Sequence, residues 1–441
     1  MSASATNPPT LPAPLSMSAV LRIPVMRRLW YAQIVSTFGD FLALFALIGV
    51  ITFRLHGTPQ QVTGLQIAYL LPIAVLGVIA GVFVDRWPLK TTLVGSDFTR
   101  CGLVLLLLVA HGMWSFYLIL AGISVVSSFF GPAQGVAIRS AVPLEGLRSA
   151  NSLMQQVMFG IRIVGPAIAG FVASAFGPRT CYVGDAISFL ASGLLISTLA
   201  ISRPASAPTP GPAPTPQTPL VDPAPTAKKK LLDLPSIARD MREGIAFIFH
   251  HAALLFVILA LAAGMFILGC FGPLIAVYVR DSLHSSTRIF GIVSAMIGVG
   301  MFAGINVLNT LGKNLKNTTQ VYFGLGGMAA GLTVLASVPH LWATVVGNLI
   351  IGFAVAGIVV PSNTMIQQET PPPLMGRVGS TVMSLIMTAQ ICGLVLSGQL
   401  AARIGVRHVF AVCAGLLLLL IAAGKLWMEP APYPEADAAT V

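Results

Sequence analysis

Apolar residues in this chain fall into long unbroken runs, neither the alternation of a half-buried strand nor the single stripe of a soluble helix. The runs span 29–53, 61–84, 91–110, 115–138, 152–176, 181–201, 253–279, 289–311, 318–337, 340–364, 379–401 and 406–427. Each is near or above the roughly 20 residues with which a helix crosses about 30 Å of hydrocarbon. The pattern predicts an all-α membrane protein with twelve transmembrane helices, since a chain in hydrocarbon must satisfy its own backbone hydrogen bonds. The longest polar break follows residue 201 and divides the helices six plus six.

The polar segments complete the organisation. Residues 1–28 form a tail, 29–201 a first six-helix bundle, 202–252 a connection, 253–427 a second bundle and 428–441 a closing tail. The prolines of 202–230 forbid a regular helix and predict an extended linker. In 233–249, Ile237, Met241, Ile245 and Ile248 recur at helical spacing opposite Arg239, Asp240, Arg242 and Glu243. That spacing predicts a helix lying on the membrane surface and leading into the seventh span. The first run follows Arg27 and Arg28 without a small-residue cleavage site, so the first helix is expected to remain as an anchor. Pro132, Pro143 and Arg148 recur 229 residues later as Pro361, Pro372 and Arg377, and Gly170 and Gly177 recur as Gly398 and Gly405. An ordered series of this kind predicts two related bundles with pseudo-symmetry.

Composition adds orientation. The chain is 56% apolar and 9% charged with a formal net charge of +11, but its Lys and Arg sit in short connections between apolar runs. Such a distribution disfavours a soluble enzyme or a nucleic-acid binder and reports topology instead. Eighteen Lys and Arg fall on one set of alternate loops and six on the other, which predicts both termini on the cytoplasmic side. Cys101, Cys181, Cys270, Cys392 and Cys413 stand singly inside apolar segments, so neither disulfide nor metal chemistry is expected, and no cofactor. The chain carries no G-x-x-x-x-G-K-[ST] loop, which argues against direct use of ATP.

Between the second and third runs, LGVIAGVFVDRWPLKTTLVGSDFTR (76–100) places Gly77 and Gly81 one turn apart and follows them with Asp85, Arg86 and Lys90. The ordered set Gly81, Asp85, Arg86, Lys90 resembles the signature loop between helices two and three of the major facilitator superfamily, with Trp87 and Pro88 replacing the usual residues around a second glycine. The resemblance implies the twelve-helix fold of two pseudo-symmetric six-helix bundles, close packing at the glycine and a charge latch on the cytoplasmic side. Gly160, Gly165, Pro166 and Gly170 are similar to the glycine and proline signature on helix five of the exporter branch, without its paired terminal glycines. LWYAQIVSTFGD, FFGPAQ, Gly376-Arg377-Val378 and DAISFL (185–190) resemble the branch that holds macrolide efflux pumps and the enterobactin exporter.

Inside the spans, ionisable residues are few. Asp40 is the twelfth residue of the first run, about 16 Å along a helix, where a carboxylate is expected to face a polar cavity or a cation. Arg162 lies at a similar depth in the fifth run and is its natural partner. A movement that makes or breaks such a pair would load or release a proton. Asp97 and Arg100 are three apart on one helix face, within pairing distance, and are grouped with the cytoplasmic gate. Asp185 is expected near the outer interface, hydrated and hydrogen-bonded. On the 229-residue offset Asp40 falls at Gly269 and Asp97 at Gly326, so charge coupling belongs to the first bundle. Gln33, Phe266, Phe271 and Asn363 are candidates to line a substrate cavity, with Asn306, Asn348, Gln367 and Gln390 as further neutral groups. Arg377, opening the eleventh helix, is a candidate partner for Asp85 across the bundles.

The function expected is secondary export of an amphipathic small molecule by proton antiport with alternating access, in the bacterial inner membrane, by a monomer needing only substrate, protons and bilayer. The alternatives are a lipid transporter of the same fold and a non-transporting receptor.

Overall fold

A computed structural model describes residues 15–84, 86–199, 248–249, 251–310, 312, 315–371 and 374–428. Every regular element among them is helical. Twelve long helices carry the fold: α1 Pro24–Gly49, α2 Pro59–Val84, α3 Leu89–Leu106, α4 Met113–Ala141, α5 Leu147–Ala175, α6 Pro178–Ser197, α7 Ala252–Asp281, α8 Thr287–Thr310, α9 Asn317–Ser337, α10 Leu341–Glu369, α11 Met375–Ile404 and α12 Val406–Ala423. Ten of these are long and apolar enough to cross a membrane. Of the other two, α2 has no charged residue over its 26 positions, and α3 carries Lys90, Asp97 and Arg100.

Each predicted span has its helix; most reach beyond the apolar run, while α3 and α6 end four residues before it does. Helix α1 begins at Pro24, five residues before the apolar run, because proline suits the first turn of a helix. It continues through a π-helical turn, Val50–Arg54. Hydropathy marks the part in hydrocarbon, whereas the backbone ladder runs on into polar sequence. Gly177 and Gly405, the pair that recurs in the sequence repeat, both adopt positive φ (85° and 81°) where α5 passes to α6 and α11 to α12. A side chain at either position would be strained, so the repeat preserves a turn as well as helices.

Short connections make successive helices antiparallel. Odd-numbered helices therefore start on the side where α6 ends and α7 begins, here called the linker side, and run to the far side. In the first half α1 packs on α5 and α6, α2 on α4, and α3 on α4 and α6. In the second half α7 packs on α11, α8 on α10, and α9 on α10 and α12. Shifting helix numbers by six maps one set onto the other except for α1 on α6, whose counterpart, α7 with α12, is a much slighter contact. The halves meet through α2 with α11 and through α5 with α8, contacts that the same shift exchanges. Residues 202–230 and nearly all of 233–249 lie outside the described residues.

Candidate functional site

The charged centre of the molecule is built by α1, α3 and α6. Asp40 is the seventeenth residue of α1, roughly 24 Å along it, deeper than the apolar run alone implies. On α3, the Arg100 guanidinium donates through Nη2 to Asp97 Oδ1, and Ser192 Oγ of α6 donates to Asp97 Oδ2 at 2.7 Å. Both members of this ion pair are buried. The guanidinium lies between the rings of Phe130 and Phe189, 4.4 Å from each centroid, a sandwich that suits its planar charge. Asp185 of α6 is 1% exposed and accepts from Ser188 Oγ at 3.2 Å. Its carboxylate and Ser188 press on the backbone of Gly39, where only a glycine leaves room. Arg100 and Asp97 are the charges that act on Asp40, and Asp40 and Arg100 act on Asp185. Asp97 thus contacts the guanidinium directly, and Asp40 and Asp185 stand within reach of its charge.

This arrangement corrects several expectations. Arg162 is not the partner of Asp40: the ion pairs among the described residues are Arg100–Asp97 and Arg280–Asp281. Depth along a helix does not fix the direction a side chain takes, and Arg162 is accessible while Asp40 turns toward α3 and α6. Asp185 is not hydrated at the interface, because it lies at the eighth position of α6 against α1. Asp97 and Arg100 belong to the interior of the first bundle and not to a surface gate. Phe271 does not line a cavity; it packs in the second bundle on Phe410, with ring centroids 5.3 Å apart.

The neutral candidates divide. Gln33 of α1 donates to Thr37 Oγ1 at 2.8 Å, and its Oε1 accepts from Gln134 Nε2 of α4 at 2.8 Å. Gln134 is a partner of Gln33 that the sequence reading missed, although it stands in the FFGPAQ segment. Asn363 is exposed, with its amide nitrogen turned back to the Val359 carbonyl at 2.9 Å. Phe266 is half-buried on α7, where its carbonyl touches Gly393 of α11.

The two ends of the inter-bundle seam differ. On the far side it is sealed. Arg280 of α7 donates through Nη1 to the carbonyls of Thr52 (3.0 Å) and Gly57 (2.8 Å) in the first bundle, while Nε and Nη2 hold Asp281. Phe290 of α8 stacks with Phe45 of α1, centroids 5.3 Å apart. A methyl group on Gly170 of α5 would stand 2.7 Å from the Cα of Gly291 of α8, and Gly398 of α11 admits the Thr63 hydroxyl of α2. On the linker side, no described atom lies within 4 Å of where a Cβ would stand on Gly77 and Gly81 of α2, Gly160 of α5, or Gly376 and Gly379 of α11.

The seam also sorts the expected motifs. Gly81 makes no close packing here, and Arg86 and Lys90 are exposed beside it. Asp85, and with it the contact to Arg377, lies outside the described residues; Arg377 itself is half-buried near the start of α11. The helix-five motif splits: a Cβ on Gly165 would stand 3.2 Å from Phe41 of α1, the Pro166 carbonyl and Gly170 meet Gly291, and Gly160 is open.

The sequence profile described as Major Facilitator Superfamily matches residues 29–389 and 273–440. Among similar proteins, the uncharacterized MFS-type transporter YfiS of Bacillus subtilis (strain 168) is 25% identical over 397 residues, 88% of this chain and 89% of that one. Macrolide efflux protein A of Streptococcus pyogenes is 24% identical over 401 residues, covering 89% of this chain and 93% of its own. A crystal structure of a bacterial homologue of the iron transporter ferroportin in the inward-facing state superimposes with a TM-score of 0.66 at 15% identity, over 93% of this chain and 100% of that one.

Proposed function

Because the chain belongs to the Major Facilitator Superfamily and is a transporter, we propose that it exports an amphipathic small molecule in exchange for protons, by alternating access. The observation that carries the reading is the confinement of buried charge to the first bundle. Among the described residues, every Asp, Glu, Lys or Arg deep in a span is on α1, α3, α5 or α6, while those of α7–α12 stand near helix ends. Buried charge in a membrane is costly and is commonly retained for function. Asp40 is the proton carrier in this reading: it is half-buried and not sealed off.

The surplus of Lys and Arg assigns the linker side to the cytoplasm. The conformation described is then the one that takes cargo from the cytoplasm, with both termini there and the protein in the bacterial inner membrane. The second bundle offers apolar surface and neutral amides, which suits an amphipathic cargo better than a sugar phosphate. Similarity to macrolide efflux protein A supports the direction of transport.

The test is proton movement in proteoliposomes that enclose a pH dye, challenged with lipophilic cations, macrolides and siderophores. Proton flux that appears with particular compounds and is lost in Asp40→Asn is expected. Movement of a compound with no proton flux in the wild type would overturn the antiport, and movement of lipid alone would replace the cargo.

A further inference from the structure

The geometry points to Arg100 as a switching counter-ion, a positioning residue whose Nη2 keeps Asp97 while its Nε–H takes the carboxylate of the Asp40–Asp185 pair when that pair gives up a proton. This rests on the reading of Asp40 as the proton carrier and adds two residues to it.

Asp97 is satisfied on both oxygens, by Arg100 and by Ser192, and needs nothing further. Asp185 has the Ser188 hydroxyl and no cation, and Asp40 has no ion pair among the described residues. Two carboxylates in one buried centre, with the single guanidinium already engaged, repel each other when both are ionised. One proton held between them removes that repulsion. The second observation is independent of the acids. Arg100 Nε is buried with no acceptor, although buried donors are nearly always paired. A charged donor left unpaired beside two carboxylates marks a bond made in another state of the cycle.

The surroundings allow the exchange. The rings of Phe130 and Phe189 lie against the guanidinium, and its Nε stays without an acceptor. Helices α1 and α6 meet closely at Gly39, next to Asp40, where Asp185 and Ser188 fill the space a Cβ would take. The other ionisable groups around the pair are Asp97, Arg100 and Cys101 on α3 and Tyr69 on α2. Arg100 is the one cation whose charge reaches Asp40, Asp97 and Asp185 alike. The step balances: the carboxyl O–H of half-buried Asp40 passes its proton to water, and the carboxylate oxygen left behind accepts from Nε–H. Reprotonation returns the donor to its free state.

The test follows the protonated-carboxyl infrared band of the full-length protein in lipid as pH is raised, together with the pH profile of antiport. Arg100→Lys keeps the charge and can hold Asp97 but cannot serve both partners. It is expected to move the midpoint of the band and of the profile alkaline by about one pH unit, a tenfold change in proton affinity. Asp185→Asn, nearly isosteric, should move both in the opposite direction by removing the repelling neighbour. Monodisperse elution of each variant excludes misfolding. Titration of both variants as wild type would overturn the switch, even if Asp40→Asn still abolished flux. Conversely, the expected band shifts with no proton flux in any wild-type assay would leave the switch standing and overturn the antiport.

Discussion

Asp97→Ala strands the Arg100 guanidinium in the first bundle and is expected to cost about 3–5 kcal/mol of stability. Asp281→Ala removes the partner of Arg280 from a pair in which the aspartate is half exposed, and should cost less than about 1 kcal/mol. Melting temperatures of the two variants in detergent separate these expectations; equal losses would mean that the Arg100–Asp97 pair is not the anchor its burial implies. At this scale the sequence was legible where partners are near in the chain. The three-residue spacing of Asp97 and Arg100 put them on one face, and the structure pairs them. Partners on different helices were not legible. Whether Asp40 meets α5 or turns to α3 and α6 depends on helix rotation, which apolar flanks do not encode. The same ignorance placed Phe271 in a cavity when it packs on Phe410.

For whole elements the reading was far closer, because the length of an apolar run and the crossing of a bilayer are one constraint. What it could not supply was the state in which a motif makes contact. Gly81 sits in a recognisable loop, yet in this conformation its face is open, while Gly170 and Gly291 are in backbone contact. Two opposite outcomes follow. Gly291→Leu forces α5 and α8 apart on the far side and should lengthen distances between spin labels placed at the far ends of those helices. Gly81→Leu fits the open seam here and obstructs its closing, so labels on the linker ends of α2 and α11 should stay apart whatever cargo is added. Arg280→Ala, which removes the bonds to the Thr52 and Gly57 carbonyls, is expected to act as Gly291→Leu does, more weakly. Unchanged far-side distances in both variants would show that the seal lies elsewhere.

Across the whole molecule, the repeat seen in Pro132 and Pro361 reappears as matched positions inside α4 and α10 and as the shift by six that relates the packing of the halves. Symmetry of backbone does not extend to chemistry. Where the first bundle holds three carboxylates and a guanidinium, the offset places Gly269 against the Gln390 carbonyl, with backbones touching in place of charges. The second bundle therefore brings no charge of its own into the span, and the electrical character of the cycle is left to the cargo. For an exporter that loads one proton on the first bundle, a neutral compound exchanged for that proton displaces one net charge. The membrane voltage then contributes about 2.3 kcal/mol per 100 mV, and export proceeds under voltage even at equal pH. A monovalent cation exchanged for the same proton displaces none, and its export is blind to voltage. Potassium diffusion potentials set with valinomycin distinguish the two, so a voltmeter in effect reads the charge of the cargo.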